Sequence, residues 1–149
     1  MSVETISTLK VKRLAADARL PTRSHPGDAG LDLYALEGCV LNAGSRASLR
    51  TGIAVEIPDG QAGLVLPRSG LATRHGIALV NAPGLIDAGF RGELRVLLLN
   101  TDHDHPHRIA AGDRIAQLVL VDVHTPAVLK CSELAPSRRG AGGFGSTGS

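Results

Sequence analysis

The chain predicts an all-β fold, a jelly-roll-like sandwich or distorted β-barrel of short strands with one short helix. Two observations carry that prediction. Short apolar runs recur along the sequence, each closed by Gly, Pro, Asn or Asp, as antiparallel strands and their turns require. Only one segment, Arg68 to Gly76, has residues suited to starting and stopping a helix. At 149 residues, 43% of them hydrophobic, the chain forms one domain and can bury a real core. That core is built from Val, Leu, Ile and Ala, because Trp is absent and there are only one Tyr and two Phe.

The elements follow in order. Leu9 to Arg13 is a first short alternating strand. Leu20 to Gly30 is loop, since it carries Pro21, Pro26, Gly27 and Gly30, and Leu31 to Ala35 resumes an apolar pattern. Arg50 to Ile57 alternates, with Ile53, Val55 and Ile57 on one face, and Pro58-Asp59-Gly60 turns the chain. Gly63 to Leu66 is another short strand, ended by Pro67, which has no main-chain donor for the ladder. In the helix candidate Ser69 suits the N-cap and Gly76 the position past the C-terminus. Ile77 to Val80 and Leu94 to Leu99 are two strands joined by an irregular, glycine-lined hairpin tip. Thr101 to Arg108 carries His103, His105 and His107 at alternate positions, but Asp102, Asp104 and Pro106 interrupt them and mark a surface loop. Gly112-Asp113 is a turn before the longest strand, Arg114 to Val123, with Ile115, Val119, Val121 and Val123 on its face. Five glycines fall in the final ten residues, so the end of the chain joins no stable element alone. The expected division is a β domain over 1–137 and a mobile glycine-rich tail over 138–149.

Composition excludes several classes of function. A net charge of +2 is too small for a nucleic-acid-binding surface. Cys39 and Cys131 provide neither metal spacing nor a disulfide framework. With no apolar run of membrane-spanning length, the expectation is a soluble cytoplasmic protein with no nucleic-acid or membrane partner.

Chemistry concentrates in a few places. In the central hairpin, Gly89 and Gly92 beside Phe90 leave a slot for a flat ligand, with Asp87 inside it; the alternative is an ordinary hairpin with a solvated Asp. Asp28 and Asp32 flank Gly30 either as turn residues or as an acidic pair. Arg68 beside the start of the helix offers an anion site, though Ser69 alone reads equally as a cap. Gln117, an amide on an apolar strand, must bridge structure or contact a ligand. The tail is either a frayed terminus or a segment that orders over a ligand with Arg139, Phe144, Ser146 and Thr147.

Five of these stretches, taken in order, resemble the motifs of the trimeric, all-β deoxyuridine triphosphate nucleotidohydrolases (dUTPases). They are Ala29 to Leu33, Pro67 to Ala72, Asn81 to Gly92, Gly112 to Gln117, and Arg139 to Gly148. The resemblance spans the chain from about Leu9 onward. It implies Mg²⁺-assisted attack of water on the α-phosphorus of dUTP, giving dUMP and pyrophosphate. Such a reaction limits uracil incorporation into DNA and supplies dUMP for dTMP synthesis. Position by position, the resemblance makes Asp87 the carboxylate that orients and deprotonates the water. Arg68, Ser69 and Gly70 become the triphosphate clamp. Asn81 with the backbone of Leu85, Ile86 and Asp87 becomes the deoxyuridine slot, and Arg95 a further substrate contact. Asp32 would hold Mg²⁺ through water, with Asp28 supporting, and Gln117 would lie near the α-phosphate. Arg139, Phe144, Ser146 and Thr147 would close over base and phosphates, at sites between the subunits of a homotrimer. Phe90 departs from the family's usual Tyr and keeps the ring that stacks on deoxyribose; Ala141 is a milder departure. The related dCTP deaminases need a Glu at the pyrimidine, where this hairpin offers Asp87, with Glu93 expected beyond it on the strand.

Overall fold

The computed structural model describes residues 7–148, so the first residues of the expected β domain and the last of the expected tail, Ser149, lie outside the described residues. The strands are β1 (Lys10–Arg13), β2 (Leu31–Tyr34), β3 (Cys39–Leu41), β4 (Arg46–Arg50), β5 (Ile53–Glu56), β6 (Gln61–Leu66), β7 (Ile77–Leu79), β8 (Gly84–Ile86), β9 (Arg95–Asn100), β10 (His107–Ile109) and β11 (Arg114–Asp122). The helix, α1 (Ser69–His75), lies between β6 and β7. The strands form four small antiparallel sheets, in the orders β2-β11-β6-β8, β4-β9-β7, β1-β5 and β10-β3. None closes on itself, so the fold is the expected jelly-roll-like arrangement with no closed barrel.

The core is aliphatic, as the composition requires. Leu33, Leu41, Ile53, Ile77, Leu98, Ile115 and Leu118 are all buried. Two polar residues buried with them are satisfied, which removes the desolvation cost of burial. Thr51 donates Oγ1 to Leu94 O at 2.6 Å. Asn100 donates Nδ2 to Leu41 O and His105 O at 3.0 and 2.9 Å, and its Oδ1 accepts Asp102 N at 3.0 Å.

Four local expectations are corrected. The run from Arg50 to Ile57 is not one strand, because β4 ends at Arg50 and β5 begins at Ile53. Between them Gly52 has φ +70°, and a Cβ there would lie 2.8 Å from Ala18 Cβ; both conditions demand glycine. In α1 the N-cap is Arg68, not Ser69, and no side chain caps the helix start. Gly76 behaves as expected, left-handed at φ 62° with its N–H on the carbonyls of the last turn. The surface loop of histidines ends earlier than expected, since His107 and Arg108 already belong to β10.

The fourth correction concerns β11. A bulge between Arg114 and Ala116 shifts its register on β2, and the shift reverses which side chains point inward. Ile115, Ala116 and Leu118 are buried, while Gln117, Val119 and Val121 are only half-buried on the other face. Strands β3 and β4 carry no run that the sequence marks, since only Leu41 in one and Leu49 in the other are buried.

The hairpin expected between β7 and β9 is present, paired Ile77↔Asn100, Ala78↔Leu99 and Leu79↔Leu98. Its tip is more than a loop. After the cis Ala82–Pro83 bond, the chain forms β8, which pairs with β6 in the neighbouring sheet as Gly63↔Ile86 and Val65↔Gly84. The segment therefore ties two sheets together and is held at both ends.

Candidate active site

The crossing hairpin creates a cleft of about 350 Å³. Six residues singled out from the sequence line it: Asn81, Leu85, Ile86, Asp87, Phe90 and Arg95. Asn81 precedes β8, and Gly84 packs between its amide and Val65, where a Cβ would lie 3.3 Å from each. Asp87 follows β8 directly and is exposed, and among the described residues its carboxylate accepts no hydrogen bond. Its main-chain carbonyl accepts Phe90 N at 3.1 Å, closing a turn that stands the ring at the cleft edge, 44% exposed.

Two polar lining residues were not among the expected site residues. Ser48 on β4 accepts Arg95 Nε through Oγ at 2.8 Å and Arg95 Nη2 through its carbonyl at 3.1 Å, fixing the guanidinium on the cleft wall. Glu93, expected beyond Asp87 on the strand, instead precedes β9 and lines the cleft. Its carboxylate is held by Arg50 Nε at 2.8 and 3.0 Å, so both oxygens are engaged. That pairing raises the pKa of Arg50, chiefly through the hydrogen bond that it donates to Glu93. Glu93 was findable only by its nearness to Arg95, two residues on, because it precedes β9 and no strand register ties the two together. No sequence signal marks Ser48.

A second group lies where β2, β11 and the start of α1 meet. Asp32 on β2 is buried, 8% exposed. Its Oδ1 accepts Arg68 Nε at 3.2 Å, and its Oδ2 accepts Arg114 Nη1 at 3.4 Å and Ser24 Oγ at 3.3 Å. Gln117 sits directly across from Asp32 in register and donates Nε2 to Pro67 O at 3.0 Å. Its Oε1 occupies the space that a Cβ on Gly30 would fill, only 2.2 Å away. Gln117 is thus a structural bridge that holds the entry to α1, and Gly30 is the residue that gives it room. Ser69 and Gly70 follow Arg68 at the helix start, with Arg74 Nη2 2.8 Å from a Cβ built on Gly70. Asp28 closes a local turn, its Oδ2 accepting His25 N at 3.0 Å.

The tail makes a third group. Arg139, Phe144, Ser146 and Thr147 are all exposed, and the hydrogen bonds of this segment are short-range turns such as Arg139 Nε to Gly142 O at 2.8 Å. Phe144 has φ 51°. Ahead of it the chain from His124 to Ser137 is exposed throughout, including Val128, Leu129 and Leu134.

Other candidates gather no chemistry. A larger cavity, about 710 Å³, contains none of the expected site residues and no carboxylate. The alternating histidines do not converge: His105 Nδ1 lies 3.2 Å from Asp102 Oδ1, while the His107 ring stacks on His75 at 4.4 Å. Backbone N–H groups of Asp104 and then His105 hold the Asp102 pKa down to about 2. Among the described residues no three His, Cys, Asp or Glu side chains are placed to hold a metal together, and no helix is long and apolar enough to cross a membrane.

Comparison with known proteins bears on this geometry. A sequence profile of the dUTPase family matches residues 16–148. A deoxyuridine 5'-triphosphate nucleotidohydrolase from Thermobifida fusca is 56% identical over 140 residues, covering 94% of this chain and 78% of that protein. One of the same name from Mycolicibacterium gilvum is 48% identical, covering 95% of this chain and 96% of its own. Among solved structures, a variant of the Staphylococcus bacteriophage 80alpha dUTPase with dUpNHpp has a TM-score of 0.88 at 35% identity, over 95% of this chain and 99% of that one. A variant dUTPase from phage phi11 of S. aureus, described for its coordination of a structural Mg(II) ion, has a TM-score of 0.80 at 31% identity, over 85% of this chain and 98% of that one.

Proposed function

The chain belongs to the dUTPase family and is by that membership a dUTP nucleotidohydrolase, and on that premise we propose that the Asn81–Arg95 cleft receives deoxyuridine and that Asp87 acts on the attacking water. The observation that carries this reading is the cleft itself, which gathers Asn81, Asp87, Phe90 and Arg95 from a segment shared by two sheets.

The chemistry follows from the groups present. Asp87 takes a proton from a water whose oxygen forms a bond to the α-phosphorus. The bond from that phosphorus to the bridging oxygen breaks, and pyrophosphate leaves with the electron pair, so the products are dUMP and pyrophosphate. A single carboxylate suffices when the water is held in line with the leaving group. Arg68, Ser69 and Gly70 form the triphosphate clamp, and Gln117 holds its entry. Backbone groups of Leu85 to Asp87 read the uracil edge; cytosine, with a donor where uracil has an acceptor, leaves polar groups unpaired. The Phe90 ring packs against deoxyribose.

Asp32 fits the role of holding a magnesium ion through waters. Among the described residues no cluster of three metal-binding side chains surrounds it, and Mg²⁺ keeps several waters and needs only one or two carboxylates beside substrate phosphates. When bound, that ion offsets phosphate charge beside Arg68 and Arg114.

The three groups of site residues occupy different parts of the chain, and the cleft shares no lining residue with the cavity at Arg68 and Arg114. That separation supports a homotrimer with each site built between subunits, over which the tail, 138–149, closes from the β domain, 1–137. A nucleotide substrate is consistent with a cytoplasmic site of action.

The test is pyrophosphate release from dUTP, dCTP, dTTP and UTP, with and without Mg²⁺. Release confined to dUTP and strengthened by Mg²⁺ is expected. Equal release from dCTP or UTP would overturn the assignment of the cleft.

A further inference from the structure

The Phe90 ring has little to hold it in place. It is 44% exposed and stands on the backbone of Gly92, where a Cβ would lie 2.7 Å from its Cζ. Its position is therefore set by the backbone of the turn that carries it, and that turn is organised around one side chain. Arg91 Nη1 donates to Ala88 O at 2.6 Å and to Phe90 O at 3.1 Å. Its Nη2 faces Glu56 Oε1 on β5 at 3.4 Å. The other oxygen of Glu56 takes Lys10 Nζ of β1 at 3.1 Å. One rigid planar fork thus joins two carbonyls of the turn to a third sheet. Arg91 does not line the cleft; it lies in the grooves beside Lys10 and Glu56 on the other side of the turn.

From this geometry we infer that Arg91 is a positioning residue that fixes the Phe90 ring against the sugar and thereby sets discrimination between deoxyribose and ribose nucleotides. The inference rests on the functional reading above, and it adds a residue that touches no substrate. Both carbonyls converge on one nitrogen, Nη1, while Glu56 faces the other, Nη2; a lysine has a single nitrogen and cannot span the turn carbonyls and Glu56 together. Without Arg91 both carbonyls turn to water and the loop can tilt. A ring displaced by an ångström no longer excludes a 2′-hydroxyl.

The experiment compares kcat and KM for dUTP and for UTP in the parent, Arg91→Met and Arg91→Lys, with thermal unfolding of each. Arg91→Met keeps the apolar stem and loses the donors, so the dUTP-to-UTP ratio of kcat/KM should fall about tenfold or more. Arg91→Lys should recover part of that loss. A purely structural role would lower the melting temperature and the rates on both nucleotides together, leaving the ratio at the parent value; that result overturns the inference. If Arg91→Met does not fold, Glu56→Gln takes its place: it removes the ionic anchor of Arg91, together with the Lys10 pair, and leaves the turn carbonyls on Arg91, so it should lower the ratio by a smaller factor, and an unchanged ratio there is equally decisive. A parent that fails to hydrolyse dUTP overturns the functional reading before any variant is compared. A parent that hydrolyses and discriminates, beside variants that discriminate as well, overturns only the role of Arg91.

Discussion

Asp87 carries a carboxylate that nothing in the described chain engages, in a cleft where the other acid, Glu93, is fully occupied by Arg50. The two acids therefore have different fates within one pocket: one is spent on structure and one is free for water. Asp87→Asn keeps shape and removes the base, so turnover should fall about a hundredfold or more while dUTP still binds; single-turnover kinetics beside calorimetric binding separate the two. Phe90→Ala should weaken rejection of UTP, and Phe90→Tyr should change little, both read from kcat/KM on UTP and dUTP. Asn81, Asp87 and Phe90 were singled out because they fall within one motif, and Arg95 because it stands on the strand leaving the same hairpin. The partners of Asp32 were not, since Arg114 lies 82 residues away and only the β2–β11 pairing brings them together. Ser48 was invisible for the same reason: it reaches Arg95 across the β4–β9 ladder, where the two strands are paired.

At the level of elements, the short runs Leu9 to Arg13, Leu31 to Ala35 and Ile77 to Val80 were read with nearly correct bounds, whereas the alternating run Arg50 to Ile57 hid a break at Gly52, and strands held mainly by partners left no mark. Strand β4 has one buried side chain and is a strand because β9 pairs with it. The bulge in β11 leaves no mark in composition, yet it turns Gln117 toward Pro67 and away from the core. A pH effect belongs to this scale, where β10 meets the last turn of α1. Burial first, then the neighbouring His75, lowers the pKa of His107, against an opposing pull from Asp113. The groups facing it there are His75, Arg68, Arg108, Asp113 and Arg114. Because the unfolded chain binds that proton more readily than the folded one, stability is whole above about pH 6.5 and is lost as pH falls through the interval below it. His107→Phe keeps a ring against His75 and removes the titration. Its melting temperature should therefore drop less than the parent's between about pH 7.5 and 5.5, as followed by circular dichroism.

Over the whole molecule, the exposed stretch from His124 to Ser137 and the tail beyond it have no place on their own domain. Light scattering at micromolar concentration should find a trimer, and a stable monomer would contradict the assembly. Deleting everything after Ser137 should leave that assembly intact and cut turnover sharply, because water exclusion and phosphate contacts go with it. Each ordered tail residue costs about 1–2 kcal/mol of backbone entropy, so closure should require bound nucleotide. Mixing the truncated chain with Asp87→Asn, both inactive, should restore some activity if one subunit's tail closes over another's cleft; no recovery despite proven exchange would mean that it closes over its own. The separation of the site into three groups has a further consequence, in the language of mass action. A catalyst assembled from several copies has a specific activity that depends on its own concentration, rising through the dissociation constant of the complex and collapsing on dilution below it. The amount of this protein in a cell would then set not only how many active sites exist but whether any exist at all.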